Sequence, residues 1–276
     1  MTQKNIDRYA VIGNPISHSK SPLIHSEFAK LTEQTLSYTA ELVEPGQVKN
    51  FITSFAKNNG KGLNVTVPFK LDAFELATDL TGRAQRAGAV NTLTLKDNKI
   101  FGDTTDGTGL LNDLINNYQQ TIKNKHILIL GAGGAVRGVL EPLLLENPAS
   151  LIIANRTVSK AKQLADDFVN FGNVSACGFN ELNNKQFDIV INGTSASLSG
   201  DLPPLPDNLF SEHACAYDMM YAKEATVFMQ WSRQQGAETI LDGLGMLVEQ
   251  AAESFYIWRG VRPETKTVIE MLKIKS

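Results

Sequence analysis

Cysteine is scarce in this chain, with two in 276 residues, Cys177 and Cys215. Two thiols cannot build a disulfide-stabilised scaffold, and their separation does not match the spacing of metal ligands. The four histidines are scattered along the chain without ligand-like spacing. We therefore expect neither a disulfide framework nor a metal site.

An excess of charge and a long apolar run are also lacking. The 26 basic and 29 acidic residues give a formal net charge of -3, which excludes the basic surface that nucleic acids or anionic membranes require. The N-terminal segment MTQKNIDRYA has no apolar signal core, and no apolar run approaches the roughly 18 residues of a membrane helix. We expect a cytoplasmic protein that acts on a small molecule, with no nucleic-acid or membrane partner.

The hydrophobic pattern is typical of an α/β protein. Short apolar segments alternate with stretches of helical period, and the pattern restarts near residues 103–108. In the first half we predict strands at 9–13, 36–43 and 62–67, a hairpin at 90–95 and 99–102, and helices at 21–31, after Pro45 and at 68–77. In the second half we predict strands at 126–130, 151–154, 187–192, 214–217 and 237–241, and helices at 108–118, 135–145, 159–168 and 245–259. Two α/β domains follow from this pattern.

A glycine cluster follows the buried strand at 126–130. Gly131, Gly133 and Gly134 lie where that strand meets a helix, and glycine lets a backbone turn tightly there and approach a pyrophosphate. The full dinucleotide fingerprint is not met because Val136 occupies its sixth position. Either a nucleotide-binding loop or a tight turn without a ligand fits this segment.

The next strand ends in Asn155, Arg156 and Thr157, with Lys160 shortly after. An NAD site usually places an acid there for the ribose hydroxyl, whereas a guanidinium can bind the 2′-phosphate of NADP. NADP is therefore favoured, although Arg156 alone could be a solvated surface cation.

The loop after the first strand contains Ser17, Ser19 and Ser21 before Pro22. Its hydroxyls could bind a carboxylate or a polyol. Ser21 could equally be a helix cap, with the remainder an ordinary loop.

A second polar group follows the third strand. Asn64 and Thr66 are two residues apart, and so are predicted to share one strand face. Lys70, Asn91 and Asp106 lie near the ends of predicted elements, where α/β sheets bind ligands. A lone lysine is usually solvated, but Lys70 with Asp106 as its ionic partner is one candidate acid–base arrangement.

Eight segments together resemble the shikimate dehydrogenase family: YAVIGNPISHSKSP, GLNVTVPFK, GAVNTL, GDTTDG, GAGGAVRG, NRT, YDMMY and DGLGMLVEQAA. The resemblance implies reversible NADPH-dependent reduction of 3-dehydroshikimate to shikimate, on the route to chorismate and the aromatic amino acids. It implies a substrate-binding α/β domain at 1–104, a Rossmann-type NADP domain at 105–242, a cleft between them, and a helical segment at 243–276 that returns to the first domain. The family includes monomers and dimers, so a homodimer stays open.

The resemblance also implies residue roles. Lys70 would be the acid–base group, with Asp106 as its partner. The remaining substrate ligands would be Ser17, Ser19, Asn64, Thr66, Asn91, Asp106, Tyr221 and Gln250. The cofactor ligands would be Gly131, Ala132, Gly133, Gly134, Ala135, Asn155, Arg156, Thr157, Lys160, Met219, Gly243 and Met246.

Four positions depart from the family pattern. Thr104 replaces a frequent asparagine, Gly82 a frequent acid, Gly193 a common alanine and Lys160 a frequent arginine. Two rival functions remain at this stage. One is a quinate/shikimate dehydrogenase of broader specificity, and the other is a nucleotide-sensing module without turnover.

Overall fold

The computed structural model describes residues 6–194, 196 and 200–275. They form two compact units, one containing the residues up to Gly109 together with Val248–Lys275, the other Leu110–Leu247. Each unit is built around one sheet, so the α/β class is confirmed. These boundaries lie a few residues beyond those of the domains at 1–104 and 105–242, whose separate roles stay predictions. No helix among the described residues has the length and apolar character needed to cross a membrane.

The first unit begins with alternating strands and helices. They are β1 (Asp7–Gly13), α1 (Ser21–Leu31), β2 (Leu36–Leu42), α2 (Val48–Lys57), β3 (Gly60–Val65), α3 (Lys70–Leu76), β4 (Asp79–Leu80), α4 (Gly82–Ala87), β5 (Thr92–Lys96) and β6 (Lys99–Asp103). The sheet order is β2-β1-β3-β5-β6-β4, with β5 antiparallel to both of its neighbours. The predicted hairpin is confirmed: Asp97 and Asn98 both have positive φ, as a two-residue turn between twisted strands requires.

Two local predictions in this unit are wrong. Ser21 does not cap α1, because it is the first helical residue and Lys20 precedes it; the Ser21 amide instead donates to Ser19 Oγ at 3.3 Å. The third strand ends at Val65, so Thr66 is not part of it. The chain turns there because the carbonyl of Thr66 accepts a hydrogen bond from the amide of Phe69, and α3 starts only at Lys70.

The second unit is formed mainly by a parallel sheet with helical connections. Its elements are α5 (Asp106–Leu111), which starts in the first unit, a π-helical turn (Asn112–Asn117), β7 (His126–Leu130), α6 (Gly134–Leu145), β8 (Ser150–Ala154), α7 (Val158–Phe168), β9 (Val174–Cys177), β10 (Phe187–Asn192), β11 (Phe210–Asp218), α8 (Val227–Gln234), β12 (Thr239–Leu241) and α9 (Leu244–Arg259), with 3₁₀ turns at Val169–Phe171 and Phe179–Glu181. α9 ends in the first unit, which α10 (Lys266–Lys275) completes. The order β12-β11-β10-β7-β8-β9 is that of dinucleotide-binding folds, with β7 and β10 at the switch point.

The helix predicted at 108–118 is replaced by α5 and the π-helical turn. The wider turn follows from the amide of Tyr118, which donates to the carbonyl of Asp113, five residues earlier. Asp113 is fully buried in the second unit and accepts a hydrogen bond from the Tyr217 hydroxyl at 2.7 Å. A regular α-helical pattern in the sequence does not encode this buried carboxylate contact.

His25 is a titratable group inside the core of the first unit. Its side chain is 1% exposed, and its ring stacks on Tyr38 with centroids 4.0 Å apart. Burial lowers the pKa of His25 from its ordinary value of 6.5 to about 3. The imidazole is therefore neutral in the folded protein throughout the mildly acidic range.

We expect His25→Phe to reduce the loss of unfolding free energy that accompanies a decrease in pH below 6.5. Below pH 6.5 His25 is protonated in the unfolded chain but stays neutral in the folded chain. The free energy of unfolding of the wild type therefore decreases as the pH is lowered from 6.5 towards the pKa of about 3 that His25 has in the folded protein. Between pH 6.5 and 5, the wild type should lose roughly 2 kcal/mol more than the variant. Urea unfolding at a series of pH values measures this difference, and parallel curves for the two proteins would contradict it.

Candidate functional site

A lysine–aspartate ion pair lies at the polar end of the first unit. Lys70, the first residue of α3, donates from Nζ to Asp106 Oδ2 at 2.5 Å. Asp106 is the first residue of α5 and is mostly buried, and the side chain of Lys70 is one-fifth exposed. The pair thus joins two helix starts 36 residues apart, and part of the Lys70 side chain remains exposed to solvent.

Asn91 holds the second oxygen of that carboxylate. Its Nδ2 donates to Asp106 Oδ1 at 2.8 Å and to Thr105 Oγ1 at 2.9 Å. Its Oδ1 accepts hydrogen bonds from the Thr105 amide and the Thr92 hydroxyl. Because both oxygens of Asp106 have fixed partners, the carboxylate has one defined orientation beside Lys70.

Asn64, in β3, belongs to the same network. Its Oδ1 accepts a hydrogen bond from the Tyr38 hydroxyl at 2.7 Å, and its Nδ2 donates to Ser254 Oγ at 2.9 Å and Thr92 Oγ1 at 3.2 Å. The Asn91 carbonyl is a further acceptor at 3.3 Å. Burial raises the pKa of Tyr38 well above its ordinary value, which keeps its hydroxyl a donor.

The structure brings together some predicted substrate residues but not all. Gln250, on α9, is within 3.4 Å of the Asn91 amide. Ser17 is exposed and Ser19 partly exposed in the loop after β1. Thr66, which is partly exposed, donates its amide to the Ile12 carbonyl and so stays beside the end of β1. Tyr221 belongs to the second unit.

Sequence reasoning missed four polar residues of the network: Tyr38, Thr92, Thr105 and Ser254. Ser254 is fully buried, and its hydroxyl lies 2.8 Å from Thr92 Oγ1, 162 residues away in the chain. The usable signal is local, because Thr92 and Thr105 each lie one residue from a predicted site residue. No short-range pattern points to Tyr38 or Ser254.

A cavity of about 650 Å³ opens at the other end of the same sheet. It is lined by the starts of β1 and β3, the 97–98 hairpin turn and Trp258. None of the predicted site residues lines it, so cavity size does not identify the site in this unit.

In the second unit, the glycine turn joins β7 to α6. Gly131 has φ of +105°, which strongly favours glycine, and its amide donates to the Ala154 carbonyl of β8. Gly133 precedes α6 and Gly134 is its first residue, and a Cβ added at either would meet no atom of the described, non-adjacent residues within 4 Å. Packing against the described part of the chain therefore does not require glycine at these two positions. Open space in front of a helix N-terminus is what a pyrophosphate needs.

Two exposed cations follow the end of β8, where the sequence predicts a site for the 2′-phosphate of NADP. Arg156, Thr157 and Lys160 are exposed, and neither Arg156 nor Lys160 forms an ion pair within the described part of the chain. Asn155 fixes the turn, because its Nδ2 donates to the Thr157 carbonyl at 3.0 Å. The residues present therefore fit an NADP site better than an NAD site.

The predicted nicotinamide residues lie in the core of the second unit. Met219 and Met246 are both mostly buried in one hydrophobic cluster. Gly243 packs directly on the backbone of Met219, where an added Cβ would lie 2.2 Å from the Met219 carbonyl oxygen. Ala132 and Ala135 are partly buried beside the glycine turn and pack against the same cluster.

Val136 and Gly193 contact each other across this unit. A Cβ on Gly193 would lie 2.4 Å from Val136 Cγ2 and 3.2 Å from the Met219 sulfur. Valine is branched and fully buried here, so it cannot move aside. The absence of a side chain at 193 therefore accommodates valine at the sixth position of the glycine motif.

Comparison with known proteins gives consistent results along the chain. Family models match for the shikimate dehydrogenase substrate binding domain at residues 11–93, for shikimate/quinate 5-dehydrogenase at 113–199, and for the shikimate 5′-dehydrogenase C-terminal domain at 243–273. The shikimate dehydrogenase (NADP(+)) of Cellvibrio japonicus is 58% identical over 268 residues, 97% of each chain.

Solved structures agree with these matches. An Ael1 enzyme from Pseudomonas putida is 47% identical with a TM-score of 0.93, over 96% of this chain and 98% of that one. The shikimate 5-dehydrogenase of Thermus thermophilus, solved with NADP(H) and shikimate, is 29% identical with a TM-score of 0.87, over 98% and 99% of the two chains.

We expect Gly193→Ala to destabilise the protein by about 1–3 kcal/mol through overpacking against Val136. Combining it with Val136→Ala should recover at least about 1 kcal/mol relative to the sum of the two single changes, because the smaller side chain makes room. Denaturant unfolding of the four proteins in the cycle measures this coupling. Val139→Ala, on the same helix, is the matched control and should be additive with Gly193→Ala; additivity in the test pair would contradict the contact.

Proposed function

The chain belongs to the shikimate dehydrogenase family, and from that premise we propose how its own residues carry out the reaction. The reaction is reversible NADP-dependent reduction of 3-dehydroshikimate to shikimate, a step of aromatic biosynthesis. The observation that carries the residue assignment is the Lys70–Asp106 pair, whose carboxylate is also fixed by Asn91.

Lys70 is proposed as the acid–base residue. NADPH supplies the hydride that reduces the ketone carbon. The ketone oxygen then needs a proton, and the Lys70 ammonium is a donor of suitable type that Asp106 holds in place at 2.5 Å. In the reverse direction the same amine takes the proton from the shikimate hydroxyl. Asp106 orients the Lys70 side chain through their hydrogen bond and, beside Asn91, offers an acceptor to a substrate hydroxyl.

The other substrate contacts are proposed from their place in the network. Asn64, Thr66 and Gln250 would bind ring hydroxyls. Ser19 accepts a hydrogen bond from the Ser21 amide, which leaves its O–H free to donate to the substrate carboxylate together with Ser17. Tyr221, in the second unit, is proposed as a further carboxylate contact; burial raises its pKa, so it remains a neutral donor.

Cofactor residues are proposed on the same basis. Gly131 to Ala135 would hold the pyrophosphate at the start of α6, and Asn155 to Lys160 the adenosine 2′-phosphate. Met219, Gly243 and Met246 would line the nicotinamide pocket. A cytoplasmic location and a homodimer stay predictions.

Lys70→Ala should lower kcat at least about a hundredfold in either direction, because the proton then has no positioned donor. The KM for shikimate should change little. Absorbance of NADPH with shikimate or 3-dehydroshikimate measures both constants. Lys61→Ala, in β3, is the matched control and should retain wild-type kcat. A near-normal kcat in Lys70→Ala would remove this lysine from the mechanism.

Arg156→Asp should raise the KM for NADP by at least about tenfold, because a carboxylate repels the 2′-phosphate that the guanidinium binds. The KM for NAD should change much less. Initial rates with each cofactor test this, with Arg233→Asp, an exposed arginine of α8, as the control. Running the same assays with quinate decides between a strict shikimate enzyme and one of broader specificity. Equal effects on both cofactors would place Arg156 outside the 2′-phosphate site.

A further inference from the structure

Arg83, on α4, is the common partner of three segments of the first unit. Its Nε and Nη2 donate to the two oxygens of Asp103 at 2.7 and 2.9 Å. Its Nη1 donates to Thr108 Oγ1 at 3.1 Å, and Nη2 also reaches Glu253 Oε1 at 3.2 Å. Asp103 and Thr108 lie on either side of Asp106, so one guanidinium braces both ends of the turn that carries this carboxylate.

The carboxylate of Asp103 connects the Arg83 guanidinium to neighbouring parts of the chain. It ends β6 and is only 9% exposed. Its Oδ1 accepts further hydrogen bonds from the Thr81 hydroxyl at 2.6 Å and the Thr104 amide at 2.7 Å. Thr104 is therefore held through its backbone N–H, which any residue other than proline provides. The carboxylate of Asp103 is fully satisfied only while Arg83 is present.

Glu253 connects the same cation to α9. It lies three residues after Gln250, so the two side chains share one face of the helix about one turn apart. Glu253 also accepts a hydrogen bond from Arg262, which gives two carboxylates and two guanidinium groups in one cluster. Burial alone would lower the pKa of Arg83, but Asp103 and Glu253 outweigh this and raise it, so the cluster stays charged.

We propose that Arg83 is a positioning residue for the reduction: it fixes the 103–108 turn and the Gln250 turn of α9, so that Asp106 meets Lys70 and the substrate hydroxyls in one geometry. The proposal rests on the function proposed above. It depends on the planar fork of arginine, because an ammonium group cannot bind both oxygens of Asp103 and reach Thr108 and Glu253 at the same time.

Arg83→Lys keeps the charge and removes the fork, so it is the main test. We expect kcat to fall about tenfold and the KM for shikimate to rise several-fold, because small misplacements of catalytic groups have effects of this size. The KM for NADP should stay within about twofold. A lower folded fraction would reduce the measured rate without changing the KM for shikimate. A change in kcat together with the KM for shikimate, at constant KM for NADP, therefore distinguishes a positioning role from partial unfolding.

Arg259→Lys is the matched control. Arg259 also makes several hydrogen bonds within this unit, to Asp7 at 2.6 Å and Gln34 at 2.7 Å, but it braces no predicted site residue. Its kcat and both KM values should stay within about twofold of wild type. Normal kcat and shikimate KM in Arg83→Lys would overturn the proposal.

If Arg83→Lys does not fold, Thr108→Val tests whether Arg83 is a positioning residue. It removes one contact of the guanidinium without changing charge, and we expect kcat to fall about threefold with NADP binding unchanged; an unchanged kcat would overturn the proposal. Failure of the proposed function is distinguishable, because it would appear as a wild-type chain that does not reduce 3-dehydroshikimate.

Discussion

The side chain and backbone of Asn91 hold the polar site of the first unit together. Its amide donates to the Asp103 carbonyl, and its carbonyl accepts from the Val65 amide. Its side-chain oxygen and nitrogen reach Thr105 and Asp106. One residue therefore joins β3, the start of β5 and the 103–106 turn. Because Asn91 is only 3% exposed, losing one of these bonds leaves a buried polar group unpaired.

Sequence reasoning recovered the parts of the fold that have a strong local signal. The strand at His126–Leu130 is continuously apolar and was predicted with its observed ends. Short or polar elements were missed: β4, α4, β9 and α8. The π-helical turn was also missed, because the sequence there has a helical period and the buried contact of the Asp113 carboxylate is with Tyr217, 104 residues away.

The candidate site shows the same division. Lys70 and Asp106 could be suggested as partners from their places near the ends of elements, and the structure joins them in an ion pair. Ser254 and Arg83 could not be found in this way. The hydroxyl of Ser254 meets Asn64 across 190 residues of chain, and Arg83 meets Glu253 across 170. In the glycine motif, Val136 departs from the dinucleotide fingerprint, and the absence of a side chain at Gly193 leaves the space that this valine occupies.

The first unit is interrupted in the chain, since the second unit separates Gly109 from Val248. During synthesis on the ribosome, the second unit emerges as one continuous segment and can fold while the residues after Leu247 are still being added. The first unit lacks Ser254, Trp258 and Arg259 until the whole of the second unit has been synthesised. The Trp258 indole donates to the Leu93 carbonyl across 165 residues, so closing this contact requires a long chain segment to be ordered first. The first unit can therefore be completed only after the second unit has been synthesised.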